Sequence, residues 1–320
     1  MISILLLLLD YNPFQRVTPG AHDIHHLFIW FLIAATFVFV SVFGFMTYSL
    51  IKYRYREDED YDGEPRQIHG NLKVETSLTI ASFALVGIFG YLSIHTLLKM
   101  NPSTKNHKPD IIITGHQWWW EAKYTKTGAV TANEIHFPVG KRMLVEFKSA
   151  DVIHDWWVPA LGQKIDMFPS KTTHMWIKIE KPGHYQGTCA EYCGAQHAHM
   201  RIHVIAQSPK KFNKWEKHEA QPAAPPSSRM AALGDAVFSG KSCGRCHNIK
   251  GNPSANGDVG PDLTHIASRK TILTFVKNTP KNLHEWINHP QKMKEGAHMP
   301  GFKFNKKQLN AIVDYLEGLK

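Results

Sequence analysis

The chain has 320 residues, which is long enough for two or more domains, and it carries a formal net charge of +10. This charge bears on partners and on membrane contact, but it does not determine a fold. Hydrophobic residues make up 43% of the chain, and their long runs lie near the N-terminus. The four cysteines fall in two motifs with ligand-like spacing, which leaves none for a structural disulfide. The sequence lacks a GxGxxG, P-loop or hydrolase-elbow motif, so nothing points to a nucleotide-binding or hydrolase class.

Two apolar stretches near the N-terminus are long enough to cross a membrane. Residues 27–51 carry no charge, and a second apolar stretch covers residues 74–98. At about 1.5 Å per residue each stretch spans a hydrocarbon core, whereas a buried helix of a soluble protein is the alternative. The apolar run 2–9 is too short to span and lacks a basic start, so the segment 1–26 is left unassigned, with a signal-peptide remnant as one interpretation. The sequence therefore predicts a transmembrane helical hairpin over residues 27–100.

The loop between the two predicted helices is flanked by basic residues, namely Lys52, Arg54, Arg56, Arg66 and Lys73. Basic residues favour the cytoplasmic side of a membrane, although the acidic residues at 57–60 dilute this bias. The pattern predicts that the loop is cytoplasmic and that the rest of the chain lies on the periplasmic or outer face.

Residues 101–219 contain short stretches that are rich in β-branched and aromatic residues and are separated by turn residues. These stretches are 111–124, 143–147, 173–179 and 202–205. Such a composition is typical of strands. Short strands, together with candidate ligands on two loops, predict a small β-sandwich or a Greek-key barrel.

A dense set of soft metal ligands occupies one segment of this region. Cys189 and Cys193 are four residues apart, His197 follows after four and Met200 after three. Thiolate, imidazole and thioether groups together favour copper over hard cations, and two such close thiolates are able to bridge two metal ions. A disulfide, a zinc site or plain core packing are the alternatives, but zinc rarely takes methionine.

Two further groups complete this candidate site. A turn between the cysteines exposes the carbonyl of Glu191. One more nitrogen ligand must come from elsewhere in the fold, and His154 is the best candidate.

A proline-, alanine- and serine-rich segment, residues 220–230, is typical of a semi-rigid linker and marks a domain boundary. Beyond it, Cys243-Gly-Arg-Cys246-His247 is the attachment motif of a c-type haem, in which both thiols bond to the haem and the histidine binds iron. The length of residues 231–320 suits a small cytochrome c. Met299 is the expected sixth ligand, and His298 and His289 are the rivals.

These motifs resemble a known family. The order C-x-E-x-C-x-x-x-H-x-x-M over residues 189–200, with the histidine of Asp151-Val-Ile-His-Asp-Trp-Trp-Val-Pro159, resembles the binuclear CuA site of cytochrome c oxidase subunit II. Gly260-Pro-Asp-Leu263 and Met299-Pro-Gly-Phe302 resemble loops of class I cytochromes c. With the helical hairpin, the chain is similar to subunit II with a fused C-terminal cytochrome c domain, the caa-type haem-copper oxidase arrangement. The resemblance implies a multidomain membrane protein with a cupredoxin-like β-sandwich and an all-α class I cytochrome c domain.

The resemblance also implies the cofactors and their ligands. The binuclear copper centre is expected to bind His154, Cys189, the carbonyl of Glu191, Cys193, His197 and Met200. A covalently attached haem c is expected at Cys243, Cys246, His247 and Met299. The side chain of Glu191 is expected to reach a magnesium ion at the boundary with subunit I.

Two further positions match segments of the family. Gly115-His-Gln-Trp-Trp-Trp120 resembles an aromatic segment whose first tryptophan, Trp118 here, is an exposed docking point for cytochrome c; packing of all three inside the sandwich is the alternative. Strand alternation predicts that one or two of them face outward. Asn71-Leu-Lys-Val-Glu75 resembles a segment whose glutamate lies by a proton-uptake channel of subunit I, although Leu78 replaces a frequent tryptophan and the helix dipole alone would explain Glu75.

The function implied is that of the subunit through which electrons enter a proton-pumping terminal oxidase of the bacterial inner membrane. A donor, either cytochrome c or a quinol-oxidising complex, would reduce haem c, and electrons would pass through CuA to subunit I for reduction of oxygen to water. Other oxidase subunits and the membrane are the expected partners, and nucleic acid is not. The alternatives are the corresponding subunit of a nitric oxide reductase, a membrane-tethered copper-binding module, and a quinol oxidase subunit, although quinol oxidase relatives lose the copper ligands retained here.

Overall fold

The structure is a computed structural model, and it describes residues 14–56, 67 and 70–320. The apolar run 2–9 and Arg66 of the predicted loop lie outside the described residues. The chain divides into two compact units. One unit is His22–Pro102, and the other joins Ser103–Lys320 to the residues that precede His22.

Two long apolar helices form the first unit within the described part of the chain: α1 is Pro19–Lys52 and α2 is Leu72–Met100. Their apolar side chains are largely exposed. The helices contact each other through Phe31 and Phe89, whose ring centroids are 5.2 Å apart, and through the ion pair of Lys99 with Asp23 at 2.8 Å. Helices of this length with an apolar surface all round are suited to a hydrocarbon environment, so the unit matches the predicted transmembrane hairpin.

Side chains around Asn71 cap the start of α2. The Asn71 side chain accepts hydrogen bonds from the backbone N–H groups of Lys73 at 3.1 Å and Val74 at 3.4 Å. The Glu75 carboxylate accepts in return from the backbone N–H of Asn71 at 3.2 Å. These bonds satisfy N–H groups that a helix start leaves without partners, so Glu75 has a structural contact here. Its predicted part in proton uptake stays a prediction.

The second unit contains a β-sandwich, residues 111–207, called the sandwich below. Its strands among the described residues are β1 Ile111–His116, β2 Trp119–Tyr124, β3 Val130–Ala132, β4 Glu134–Pro138, β5 Arg142–Ser149, β6 His154–Trp157, β7 Lys164–Met167, β8 Thr173–Lys178, β9 Gly183–Cys189 and β10 Arg201–Gln207. One sheet has the order β3-β2-β1-β5-β8 and the other the order β4-β10-β9-β6-β7. The pairs β1–β5 and β4–β10 are parallel and the other pairs are antiparallel. A short helix, α3 at Pro209–Glu219, follows the last strand.

The predicted strands appear with one difference. The stretch 111–124 is divided into β1 and β2, an antiparallel pair in which His116 lies opposite Trp119. The other three predicted stretches coincide with β5, β8 and β10. A large apolar core between the sheets includes fully buried Trp120 and Trp156, which explains why aromatic residues are frequent in these strands.

The C-terminal region, residues 229–320, has an apolar core of its own. Its helices and strands are α4 Arg229–Gly240, β11 Thr271–Ile272, β12 Val276–Lys277, α5 Pro280–Asn288, α6 Pro290–Met293 and α7 Lys306–Gly318. Helices α4 and α7 approach closely at Gly234, where an added Cβ would lie 2.0 Å from the carbonyl oxygen of Ala311. The region is helical as predicted, and it also carries the short β11–β12 hairpin.

A buried histidine on β4 leads to a prediction about pH. The ring of His136 stacks on Trp215 with centroids 3.8 Å apart, and Nδ1 lies 3.2 Å from the side-chain oxygen of Gln207. Burial lowers the pKa of His136 to about 4. Unfolding therefore takes up a proton between about pH 6.5 and 4, and the free energy of unfolding falls as the pH falls through this range, by at most about 1.4 kcal/mol per pH unit.

The variant His136→Phe keeps an aromatic ring against Trp215 and removes the titrating group. We expect calorimetric melting of the sandwich to depend less steeply on pH between 4 and 6.5 in this variant than in the unmodified chain. The same slope in both proteins would contradict this prediction.

Candidate copper and haem centres

Three of the predicted copper ligands are buried together in the sandwich. The ligand atoms of His154, Cys189 and Cys193 lie within 4.8 Å of one another, and all three residues are buried. His154 begins β6 and Cys189 ends β9, and these strands are neighbours in one sheet. The pairing of the two strands therefore brings residues 35 positions apart into one site.

The loop after β9 supplies the remaining predicted ligands. The Cys193 sulfur lies 3.6 Å from Nδ1 of His197 and 3.7 Å from the Met200 sulfur. The Cys189 sulfur lies 3.2 Å from the carbonyl oxygen of Glu191 and 3.8 Å from Nδ1 of His154. The structure thus brings all six predicted copper ligands together.

The surroundings of His154 hold its ring in place. Its Nε2 lies 2.8 Å from the Asp151 carboxylate, which leaves Nδ1 on the side of the thiols. A Cβ at Gly115 would lie 2.8 Å from the His154 ring, so a side chain at that position would push the ring away. A carboxylate on the second nitrogen is how proteins commonly orient metal-binding histidines.

The donor set suits copper. The hydrogen bond with Cys193 lowers the pKa of the Cys189 thiol, and it raises the pKa of Cys193. The thiolate form of Cys189 is therefore favoured, and the thiolate is the form that binds metals. Two sulfurs of cysteine, a thioether, two imidazoles and a carbonyl form a soft set that a copper pair fits and a hard cation does not.

A second site lies in the C-terminal region. A cavity of about 500 Å³, called the CxxCH cavity below, is lined by Cys243, Cys246, His247 and Met299. Nδ1 of His247 lies 2.8 Å from the Pro261 carbonyl oxygen, to which it donates, and this leaves Nε2 free for a metal ion. Burial lowers the pKa of His247, which keeps the ring neutral as iron ligation requires. These residues fit a covalently attached haem with His–Met ligation.

The rival sixth ligands occupy different places. His298 also lines the CxxCH cavity, next to Met299. The lining residues do not include His289, which is exposed and lies 2.8 Å from the Asn288 side chain. The geometry therefore leaves Met299 and His298 as candidates.

The sandwich forms one wall of the CxxCH cavity, and the sequence did not predict this wall. His116, Trp118 and Trp119 line it, and the rings of His116 and Trp119 stack with centroids 4.1 Å apart. Burial lowers the pKa of His116 to about 4, so it is a neutral ring in this wall. The one feature of the sequence that pointed to this wall is the aromatic composition of residues 115–120.

The expectation that Trp118 is exposed is wrong, since only 6% of its surface is accessible. Residues of the C-terminal region cover it: the His298 ring has its centroid 5.9 Å away, and Gly296 lies next to the indole. The indole N–H donates a hydrogen bond to the backbone carbonyl of Cys193 at 2.9 Å. Trp118 lies in the turn between β1 and β2, where strand alternation does not apply, and its ring packs against the C-terminal region of the same chain. Trp118, Trp119 and Trp120 are all buried, so the prediction that one or two of them face solvent is wrong.

A buried lysine at the same boundary was also not predicted from the sequence. Lys294 is 5% exposed, and its ammonium group donates to the backbone carbonyl of Trp118 at 2.6 Å. Burial lowers its pKa to about 8. The C-terminal region has many lysines, and nothing in its sequence indicated that Lys294 is the buried one.

Comparisons with known proteins identify relatives of both regions. The family model described as the periplasmic domain of cytochrome c oxidase subunit II matches residues 129–207, and the cytochrome c model matches residues 231–320. The chain is 32% identical to cytochrome c oxidase subunit 2 of Alkalihalophilus pseudofirmus over 94% of this chain and 89% of the relative. It is 27% identical to the same subunit of Bacillus sp. strain PS3 over 80% of this chain and 77% of the relative. The solved periplasmic domain of subunit II of the cytochrome oxidase of Bradyrhizobium japonicum is 33% identical, with a TM-score of 0.34, covering 35% of this chain and 94% of that one.

Proposed function

The chain belongs to the cytochrome c oxidase subunit II family, and from this premise we propose that it is the subunit through which electrons enter a proton-pumping terminal oxidase. The ligand sets at the two sites would hold a haem c and a binuclear copper centre, and these groups, when bound, supply one-electron transfer toward subunit I. Reduction of oxygen to water and proton pumping are assigned to the partner subunits. The chain contributes the ligands, their orientation and the contact between the two sites.

One side chain carries this proposal, because it lies at both predicted sites. Trp118 lines the CxxCH cavity, and its indole N–H donates to the carbonyl of Cys193, whose own thiol is a predicted copper ligand. One side chain that lies at both sites offers a short path for an electron between them. It supports a role for Trp118 in electron transfer from the haem site of the same chain.

This arrangement bears on the external donor. Because the C-terminal region covers Trp118, a separate donor protein would deliver electrons to the C-terminal region itself. From residue 221 onward the chain has fourteen Lys and Arg against seven Asp and Glu. Such a basic surface suits a donor with an acidic face, whether a cytochrome c or a quinol-oxidising complex.

The remaining features complete the proposal. Lys52 at the end of α1, with Arg54 and Arg56 just beyond it, favours a cytoplasmic loop, so we place the sandwich on the periplasmic face of a bacterial inner membrane. We assign the exposed Glu191 side chain to a magnesium ion shared with subunit I, and Glu75 to proton uptake. Both assignments rest on the family resemblance alone.

The test of the function uses the purified oxidase complex. We expect a low-spin c-type haem spectrum and the multi-line electron paramagnetic resonance signal of a mixed-valence copper pair. In the variant Trp118→Phe, which loses the bond to Cys193, reduction of the copper pair after haem reduction should slow by about tenfold or more, since small losses of geometry carry large rate costs.

The control is Trp176→Phe on β8, because Trp176 lies outside the CxxCH cavity and packs against His107 and Arg142. It should leave the rate of copper reduction unchanged. Zinc at the predicted copper site, or equal rates in both variants, would overturn the proposal.

A further inference from the structure

The β11–β12 hairpin has an unusual tip. The turn between the strands places Leu273 at φ 57° and Thr274 at φ 73°, a left-handed conformation that residues other than glycine adopt at a cost. Thr274 is nevertheless fully buried, although hairpin tips with polar residues normally face solvent. A strained, buried polar tip indicates that something outside the hairpin holds it.

The sandwich provides the groups that hold this tip. Nε2 of His203 on β10 lies 2.7 Å from the Thr274 carbonyl, to which it donates. The Thr274 hydroxyl donates to the carbonyl of His199 and lies 3.3 Å from the backbone nitrogen of Arg201. His199 and Arg201 flank Met200, a predicted copper ligand, so the tip contacts the backbone on both sides of that ligand.

The base of the hairpin has an anchor of its own. Both the backbone N–H and the hydroxyl of Thr271 donate to the same carboxylate oxygen of Glu134, each at 2.7 Å. Glu134 is 4% exposed and lies on β4, beside β10. If the C-terminal region separated from the sandwich, the Glu134 carboxylate would lose both hydrogen bonds from Thr271. This loss makes the free energy of separation unfavourable.

A further set of contacts lies at residues 294–296. The buried ammonium group of Lys294 donates to the carbonyl of Trp118, and the side-chain amide of Gln196 donates to the carbonyl of Glu295 at 2.7 Å. A buried ammonium group is tolerated only where it is hydrogen-bonded. Like the hairpin, this segment contacts the loop that carries the copper ligands.

We propose that the β11–β12 hairpin and Lys294 form a docking device that holds the C-terminal region on the sandwich in one fixed arrangement and reserves the Trp118 surface for this region. Weak electron-transfer complexes have small contacts. Here the polar groups at the contact are buried and mutually bonded, so separation of the two regions would break these bonds, which is costly. The functional consequence, that the two centres stay at one separation, rests on the proposed function, whereas the docking itself does not.

The test measures separation of the two regions in the purified complex, through acylation of Lys294 read by peptide mass spectrometry. Burial lowers the pKa of Lys294, so the buried amine is more often in the reactive neutral form, and slow labelling therefore reports that reagent does not reach it. In the unmodified protein we expect Lys294 to react far more slowly than Lys292, which is exposed. In the double variant Glu134→Ala/Thr271→Val the rate should rise by about tenfold or more, because labelling follows the population of the separated state.

The matched control is Glu134→Gln, which keeps an oxygen that accepts both bonds from Thr271 and should keep Lys294 protected. Hydrogen exchange of β10 should rise in the double variant and not in the control. The haem and copper spectra of each variant show whether both sites remain formed.

Two results would overturn the docking proposal. One is labelling of Lys294 as fast as Lys292 in the unmodified protein, and the other is an unchanged labelling rate of Lys294 in the double variant. The labelling of Lys294 does not depend on redox activity, so the two proposals are tested separately. A complex that lacks copper but keeps Lys294 protected would contradict the proposed function and leave the docking proposal intact.

Discussion

Replacement of Cys193 by serine is expected to abolish the mixed-valence copper signal and to lower oxygen consumption of the complex by more than roughly 100-fold. The Cys193 sulfur lies at the centre of the predicted set, within 3.6 Å of His197 and 3.7 Å of Met200. A serine hydroxyl stays protonated at neutral pH and is a hard ligand, so it cannot replace a bridging thiolate. Changes outside the ligand set already alter metal affinity by about 10–100-fold, and a direct ligand should matter more.

The haem site should survive this change, since Cys243, Cys246 and His247 lie in a region with its own apolar core. The absorbance of the c-type haem is therefore the internal reference. Tyr192→Phe in the same loop is the matched control, because Tyr192 is 76% exposed and its ring contact with His197 is retained. A serine variant that kept the copper signal would remove Cys193 from the ligand set.

The variant Gly234→Ala should destabilise the C-terminal region by about 3 kcal/mol, near the upper end for overpacked cores. An added Cβ would lie 2.0 Å from the carbonyl oxygen of Ala311 and 2.7 Å from the Tyr315 side chain. The first of these atoms belongs to the backbone of α7 and cannot rotate away, so α4 and α7 would have to separate. Thermal unfolding followed at the haem absorbance, together with haem content, measures the effect.

Gly240 provides the control within the same helix. It is the last residue of α4, and an added Cβ there would meet nothing within 4 Å. Gly240→Ala should therefore leave the stability unchanged or raise it by up to about 1 kcal/mol, because alanine favours helix more than glycine does. Equal stability of the two variants would show that α4 and α7 tolerate a wider spacing.

The covered Trp118 changes the interpretation of electron delivery. In a chain without the C-terminal region this tryptophan would be open to a separate donor, as the family resemblance suggests. Here the segment 294–298 occupies that place, and Lys294 is bonded to the Trp118 backbone. On the proposed function, the fused region takes the position of a docking partner, and the contacts of the β11–β12 hairpin and Lys294 hold it there.

Much of the architecture is encoded locally and was predicted from the sequence. Long apolar runs predicted α1 and α2, and stretches rich in β-branched and aromatic residues predicted β5, β8 and β10. The spacing of Cys189, Cys193, His197 and Met200 predicted a clustered site because one short segment carries all four. His154 was the best candidate for the further nitrogen ligand, and strand pairing explains how it reaches the other ligands.

The contacts between the sandwich and the C-terminal region depend on tertiary structure. Glu134 meets Thr271 across 137 positions, and Trp118 meets Lys294 across 176. No periodicity or spacing links such residues, since their meeting requires two separately packed cores to dock in one orientation. Local composition thus determined the helices, many of the strands and the ligand motifs, whereas only the docking of folded surfaces decided that Trp118 is covered and that Lys294 is buried.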